Sequence, residues 1–372
     1  MPVSILMKPA SGQCNMHCDY CFYCDEQARR TTKSFGMMSE ETLKQVIRKA
    51  LLANRGDVSF AFQGGEPTLR GLDFYRKAVE YEKHYNRYGV RISNAFQTNG
   101  VLLNDEWCEF FHDNDFLLGI SVDGYPSLHD QSRHLNASDG SSFEKALKAI
   151  RLMESHKVEF NLLTVLNTQT APHIEEIYTF YKENGWMYQQ YIPCLPPLDS
   201  AYGMTEKSLQ KEDSYALTPE LFGEAMTTLF HLWERDMKTG SHPYIRAFEN
   251  YTGILLGYPP ESCDQHGTCG ISYVVEADGS VYPCDFYVLD DYRLGSFEDG
   301  RLSLFDEKRE ALGFVERSRN ISEECRSCVH YPLCRCGCQR MRVYDEKNGT
   351  WKNYLCEGYK HFFSECFKTL PG

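Results

Sequence analysis

The 372-residue chain is long enough for one large α/β domain and a smaller one, each with its own core. Its net charge of −13, with no Lys/Arg stripe to track a phosphate backbone, argues against a DNA or RNA partner. No apolar run approaches the roughly 18 residues of a membrane span, and the stretch from Met1 to Lys8 lacks the basic head of a secretory signal, so a cytoplasmic protein without a membrane partner is expected.

Up to about residue 192, strand and helix patterns alternate. Strands are expected at 3–8, 58–63, 90–97, 116–122, 159–165 and 187–192. Between them lie amphipathic stretches, of which 39–53 is typical. There Leu43, Val46, Ile47, Ala50 and Leu51 recur at helical spacing, Ser39 suits the N-cap, and Glu40 and Glu41 suit the first turn. Comparable helices are expected near 72–87, 104–113, 142–156 and 172–184. Strands each followed by a crossover imply a parallel sheet with right-handed connections, and six such units are too few for a closed eightfold barrel. The fold class expected is α/β, an open, partial (β/α)6 barrel.

Beyond Ile192 the texture changes. Pro193, Pro196 and Pro197 break the alternation, and 199–217, including an insertion through Asp213, is polar and turn-rich. Thr218-Pro219-Glu220 then reads as an N-cap with proline in the first helical position, opening a helix to about 238 that leads to a second near 244–256. From Cys263 onward strands are short and cysteines set the rhythm. The expected division is a barrel over 1–218, a helical bridge over 219–260 and a cysteine-rich domain with a C-terminal helix over 261–372.

Sixteen cysteines in a chain without a signal point to metal ligands more than to a disulfide framework. Four fall between residues 14 and 24 and nine between 263 and 356. Cys14, Cys18 and Cys21 form a CxxxCxxC on the loop after the first strand, the end at which barrel enzymes place their chemistry. Three thiolates leave one iron of a [4Fe–4S] cluster open, whereas a structural zinc site or an electron-transfer cluster wants four ligands. Cys24 keeps that second reading open. Gln63-Gly-Gly-Glu-Pro67 follows the second strand, where Gly64 and Gly65 would let the backbone approach a ligand closely. Gln97-Thr-Asn-Gly100 and Ser121-Val-Asp-Gly124 close the next two strands. Ser121 would suit a ribose or carboxylate, and Arg133 a carboxylate held as a charge-assisted fork.

These motifs together resemble the radical S-adenosylmethionine (SAM) superfamily. In that family, SAM chelates the open iron through its amino and carboxylate groups, and one electron splits it to a 5′-deoxyadenosyl radical that abstracts a substrate hydrogen. The resemblance implies cluster ligation by Cys14, Cys18 and Cys21. It implies SAM binding by Tyr20, Gly64, Gly65, Glu66, Ser121, Arg133 and Leu195. The tail resembles the SPASM domain, which carries two auxiliary [4Fe–4S] clusters. By that likeness Cys263, Cys269, Cys284 and Cys338 hold one, and Cys325, Cys328, Cys334 and Cys356 the other. Zinc modules remain the competing reading of pairs such as Cys325/Cys328, and Cys336 stands close enough in sequence to replace a neighbour.

A narrower resemblance, to anaerobic sulfatase-maturating enzymes, spans nearly the whole chain. It rests on Ile5-Leu-Met-Lys-Pro-Ala10, Cys21-Phe-Tyr23, Phe60-Ala-Phe-Gln-Gly-Gly-Glu-Pro-Thr68 and Asp278-Gly-Ser-Val-Tyr-Pro-Cys-Asp-Phe-Tyr-Val-Leu-Asp290. It implies oxidation of a sulfatase Cys or Ser to Cα-formylglycine without oxygen, by hydrogen abstraction at Cβ, with a donor such as ferredoxin or flavodoxin. It also implies that Asp285 is the base. A carboxylate beside an anionic thiolate cluster holds a proton more readily, which suits that task, while capping a turn is the bland alternative. Glu66 is the weaker candidate base. A second SPASM-type reading is a maturase that makes a thioether, a carbon–carbon crosslink or an epimer on a ribosomal peptide. Only thirteen residues precede Cys14, so the peptide-docking domain such enzymes often carry is expected to be absent.

Overall fold

The computed structural model describes residues 2–136, 140–198, 204, 215–298 and 300–367. The insertion through Asp213 and most of the 199–217 stretch lie outside these residues. In chain order the strands are β1 (Val3–Met7), β2 (Met16–Cys18), β3 (Val58–Phe62), β4 (Ile92–Thr98), β5 (Phe116–Ser121), β6 (Arg133–Leu135), β7 (Phe160–Leu166) and β8 (Tyr188–Pro193). They continue with β9 (Tyr244–Ile245), β10 (Tyr273–Val275), β11 (Ser280–Tyr282), β12 (Gly295–Ser296), β13 (Arg342–Asp345) and β14 (Thr350–Asn353). All six barrel strands expected from the sequence form, displaced by a residue or two at their ends.

Two compact units divide the chain. The first comprises Met1–Ser121, Ser132–Asn161 and Ile271–Phe314. Its main sheet runs β12-β11-β10-β1-β3-β4-β5. β1, β3, β4 and β5 are parallel neighbours, as crossover helices require. In β3, Val58, Phe60 and Phe62 are buried, the period-two signature of a strand facing a core. The Glu40–Ala53 helix is capped as expected, the Ser39 hydroxyl accepting from the Thr42 N–H, and it buries Leu43, Val46, Ile47, Ala50 and Leu51. Phe62, Tyr75, Phe96, Trp107, Phe111 and Phe116 make a contiguous aromatic core under this sheet.

Sequence patterns missed two features of this unit. β10 joins the outer edge of β1 in parallel, Ile5 opposite Tyr273, so a late segment extends the N-terminal sheet. β2 pairs antiparallel with β6, Cys18 opposite Arg133. Both strands are three residues long and carry too little periodicity to read.

The second unit comprises Val122–Gln131, Leu162–Gly270 and Val315–Gly372. Division by compactness therefore differs from the division by motif at 218 and 260. Here β7, β8 and β9 are parallel, and β13 and β14 form a hairpin. The Pro219–Thr239 helix is capped by Thr218, whose hydroxyl accepts from the Leu221 N–H, and ends at Gly240 in the left-handed region, φ +88°. It packs on the Cys356–Cys366 helix through two glycines. A Cβ on Gly358 would sit 2.1 Å from the Pro219 carbonyl oxygen, and one on Gly223 would sit 3.0 Å from that of Gly358. No helix among the described residues is long and apolar enough to cross a membrane.

Gly358→Ala forces these helices apart, and overpacking of this kind costs about 1–3 kcal/mol. A lowered midpoint in anaerobic thermal unfolding is expected. An unchanged midpoint would mean that the helices do not need this approach.

Candidate active site

The loop after β1 turns tightly: Ser11 N donates to the Lys8 carbonyl at 3.0 Å and Gln13 N to that of Ala10 at 2.9 Å. The loop after β3 lies directly against it. Gly65 N donates to Ser11 O at 2.8 Å and Glu66 N to Gln13 O at 2.7 Å. A Cβ on Gly65 would fall 1.9 Å from Gln13 O, so only glycine permits this contact. Gly64 adopts φ +119°, which also favours glycine. The glycine pair thus brings one backbone loop onto another, the loop that carries Cys14.

Glu66 completes the junction. Its buried carboxylate accepts from Thr68 N and Oγ1, from Thr98 Oγ1 at 2.8 Å and from Asn99 N at 2.9 Å. Burial raises its proton affinity while these donors oppose the rise. Its backbone N–H on the loop after β1 and its carboxylate on the end of β4 therefore staple the loops after β1, β3 and β4 together.

Cys14, Cys18 and Cys21 are half-buried, and the charges of Cys18 and Cys21 bear on Cys14. Burial is the first cause that pushes the Cys14 thiol up to about 12. Its Sγ receives Met16 N at 3.4 Å and Asn99 Nδ2 at 3.7 Å, donors of the kind that stabilise a cluster thiolate. Cys24 is exposed and hydrogen-bonds Cys21. Among the described residues no three His, Cys, Asp or Glu side chains converge on a single ion.

The other sequence-selected positions surround this loop or lie in the second unit. Arg133 is buried and donates from Nη1 to Tyr20 Oη at 2.7 Å; the β2–β6 ladder brings it there. Ser121 ends β5 and accepts from Gln97 Nε2 at 3.0 Å. Leu195, in the second unit, follows β8 and is half-buried.

Asp285 is buried in the first unit. Its Oδ2 accepts from Tyr23 Oη at 2.6 Å and from Gln63 Nε2 at 3.1 Å. Its Oδ1 accepts no hydrogen bond and faces Lys8 Nζ at 3.5 Å. Among the described residues no backbone amide donates to this carboxylate. Lys8 is itself buried, 3.7 Å from Glu276 Oε1 and 4.1 Å from the Tyr23 ring centroid. Arg30 Nη1 reaches the same Glu276 oxygen at 2.7 Å. Glu26 lies alongside, its acidity weakened to about 8, chiefly by burial. Sequence reasoning missed Lys8, Glu26, Arg30 and Glu276. The only signal was a lysine directly after the apolar strand Val3–Met7, which is ordinarily a solvent cap.

In the second unit, Cys263, Cys269 and Cys338 bear electrostatically on one another. Cys325, Cys328, Cys334 and Cys356 line one small cavity, together with Cys336 and His330. Cys284 belongs to the first unit.

Residues 9–181 match the Radical SAM superfamily. A cysteine-type anaerobic sulfatase-maturating enzyme from Clostridium novyi is 41% identical over 99% of this chain and 96% of its own length. The chain belongs to the anaerobic sulfatase-maturating enzyme family. A serine-type member from Bacteroides thetaiotaomicron is 32% identical over 97% of this chain and 89% of its own. The solved structure of native anSMEcpe with bound AdoMet and Cp18Cys peptide superposes with a TM-score of 0.90 at 39% identity, covering 99% of this chain and 97% of that one. The fold is therefore the radical SAM partial barrel with a cysteine-rich auxiliary region, and the family is one of radical SAM oxidoreductases. These full-length likenesses do not favour the peptide-crosslinking or epimerising alternative.

Two outcomes test the buried charges of this maturase-family site. Lys8→Met leaves Glu276 and Asp285 short of a cation; breaking a buried ion pair costs about 3–5 kcal/mol, read as a lowered unfolding midpoint. The folded chain keeps the Glu26 proton to about 8, whereas the unfolded chain releases it near 4.5. The folded state binds more protons between these values, so stability falls as pH rises across them. Glu26→Gln removes that decline, and a midpoint–pH curve unchanged by the substitution would refute it.

Proposed function

We propose that this enzyme oxidises a cysteine in an unfolded sulfatase segment to Cα-formylglycine under anaerobic conditions, with Asp285 as the base. Full-length similarity to cysteine-type members, higher than to the serine-type member, favours cysteine over serine as the target residue. The observation that carries the role of Asp285 is its geometry. One carboxylate oxygen is held by Tyr23 and Gln63, and the other has no hydrogen-bond donor.

Cys14, Cys18 and Cys21 would hold the SAM-binding [4Fe–4S] cluster, with Tyr20, Gly64, Gly65, Glu66, Ser121, Arg133 and Leu195 as the proposed SAM-binding residues. When bound, these cofactors supply the 5′-deoxyadenosyl radical that removes a hydrogen atom from the substrate Cβ. Asp285 takes the thiol proton on Oδ1. Tyr23 and Gln63 hold its other oxygen, and the Lys8 ammonium stands 3.5 Å from Oδ1. Loss of the Cβ hydrogen, the thiol proton and one further electron leaves a thioaldehyde. Water converts this to the aldehyde and releases hydrogen sulfide.

Cys263, Cys269, Cys284 and Cys338 would hold one auxiliary [4Fe–4S] cluster and Cys325, Cys328, Cys334 and Cys356 the other, and such clusters would supply an acceptor for the further electron. Four thiolates on each suit electron relay. Residues 1–218 would serve as the SAM barrel, 219–260 as a bridge and 261–372 as the auxiliary-cluster domain. A cytoplasmic setting and a small reduced iron–sulfur or flavin protein, such as ferredoxin or flavodoxin, complete the reading.

Mass spectrometry of a Cys-x-Pro-x-Arg peptide, incubated anaerobically with reconstituted enzyme, SAM and reductant, tests it. The expected product has lost two hydrogens and exchanged sulfur for oxygen; a crosslink, or deuterium at Cα, would replace this function with another. Asp285→Asn should still form 5′-deoxyadenosine but make product at least about 10²-fold more slowly, the usual worth of a general base. Undiminished formylglycine formation would remove Asp285 from the mechanism.

A further inference from the structure

The cavity assigned to the second auxiliary cluster is lined by five cysteines, one more than a [4Fe–4S] cluster binds. The extra one, Cys336, is buried, whereas Cys325 is half-exposed on a short helix flanked by exposed Glu324 and Arg326. Their sulfurs lie 4.0 Å apart. Cysteines on different irons are separated by the body of the cluster, so two sulfurs this close address the same corner.

The backbone at Cys336 is also unusual. Its φ of +66° is left-handed, a region in which a residue with a Cβ is strained and glycine is at ease. The strained turn is pinned: the Cys336 carbonyl accepts from Arg342 Nε at 3.0 Å and from Asn353 Nδ2 at 3.4 Å. Arg342 is buried and also donates to the carbonyls of Ser318 and Gly337. These contacts hold the Cys336 sulfur at the cavity wall.

We propose that Cys336 is an interchangeable ligand of this cluster, taking the iron corner of Cys325 when the more exposed thiolate is lost. The proposal rests on the assignment of Cys325, Cys328, Cys334 and Cys356 to an auxiliary cluster. Its consequence is a site that keeps four thiolates after losing one.

Iron and acid-labile sulfide per chain, with the electron paramagnetic resonance spectrum of the reduced protein, test it in four anaerobically reconstituted variants. Cys328→Ser, which removes a ligand from another corner, should lose about a third of the iron, one cluster of three. Cys325→Ser and Cys336→Gly should each keep the full iron content, the first with an altered resonance from its new ligand. The double variant Cys325→Ser/Cys336→Gly should fall to the level of Cys328→Ser. Glycine suits the left-handed turn, so a loss of iron in the double variant reports ligation rather than misfolding. If Cys325→Ser alone loses as much iron as Cys328→Ser, or if the double variant keeps all of it, ligand exchange is overturned. If Cys328→Ser keeps full iron, the underlying cluster assignment fails instead.

Discussion

The Lys8 ammonium is buried at the end of the first strand, and a buried charge is tolerated only when opposite charges stand against it. Its counter-charges are far away in sequence. The pairing of β10 on β1 sets Met7 beside Val275, so Glu276 and then Asp285 arrive next to Lys8. Arg30 binds the same Glu276 oxygen from the N-terminal side. An isolated buried ion loses several kcal/mol of hydration, so undocking residues 271–314 would strand Lys8 and Arg30 together. One electrostatic requirement therefore ties the late cysteine-bearing segment to the first sheet and places the proposed base.

The same constraint shapes the chemistry. Asp285 has a hydroxyl and an amide on one oxygen and a cation, without a hydrogen bond, beside the other. Such a carboxylate is oriented yet keeps a lone pair for a proton. Around it the strand ends act as one assembly. Gly65 lets the second loop touch the cysteine loop, and Glu66 reaches across to Thr98 and Asn99. Asn99 in turn donates to Cys14 Sγ. The cysteine loop is thus braced by its neighbours, which is what a site needs when its cofactor must be aimed.

Much of this was legible in the sequence. Strands such as Val58–Phe62 declare themselves by alternation, the Glu40–Ala53 helix by its apolar stripe and Ser39 cap, and the cysteine spacing by its count. Other features were not. β2 and β10 are three residues long, and their pairing is decided by remote partners. That the ladder opposite Cys18 sets Arg133 against the Tyr20 hydroxyl was equally hidden. Gly64 and Gly65 were read as letting backbone approach a ligand; the structure shows that Gly65 also lets the second loop touch the first.

By itself the sequence determined the elements of the partial barrel, the three-cysteine loop, the cysteine-rich tail and the aspartate after Cys284. These are local properties: periodicity, capping and spacing are written within a few residues. Only the tertiary structure decided that Lys8, Arg30, Glu276 and Asp285 share one buried charge network, and that the Cys336 sulfur lies 4.0 Å from that of Cys325. Contacts between residues hundreds of positions apart depend on strand register and loop closure, and neither is encoded in any single stretch of the chain.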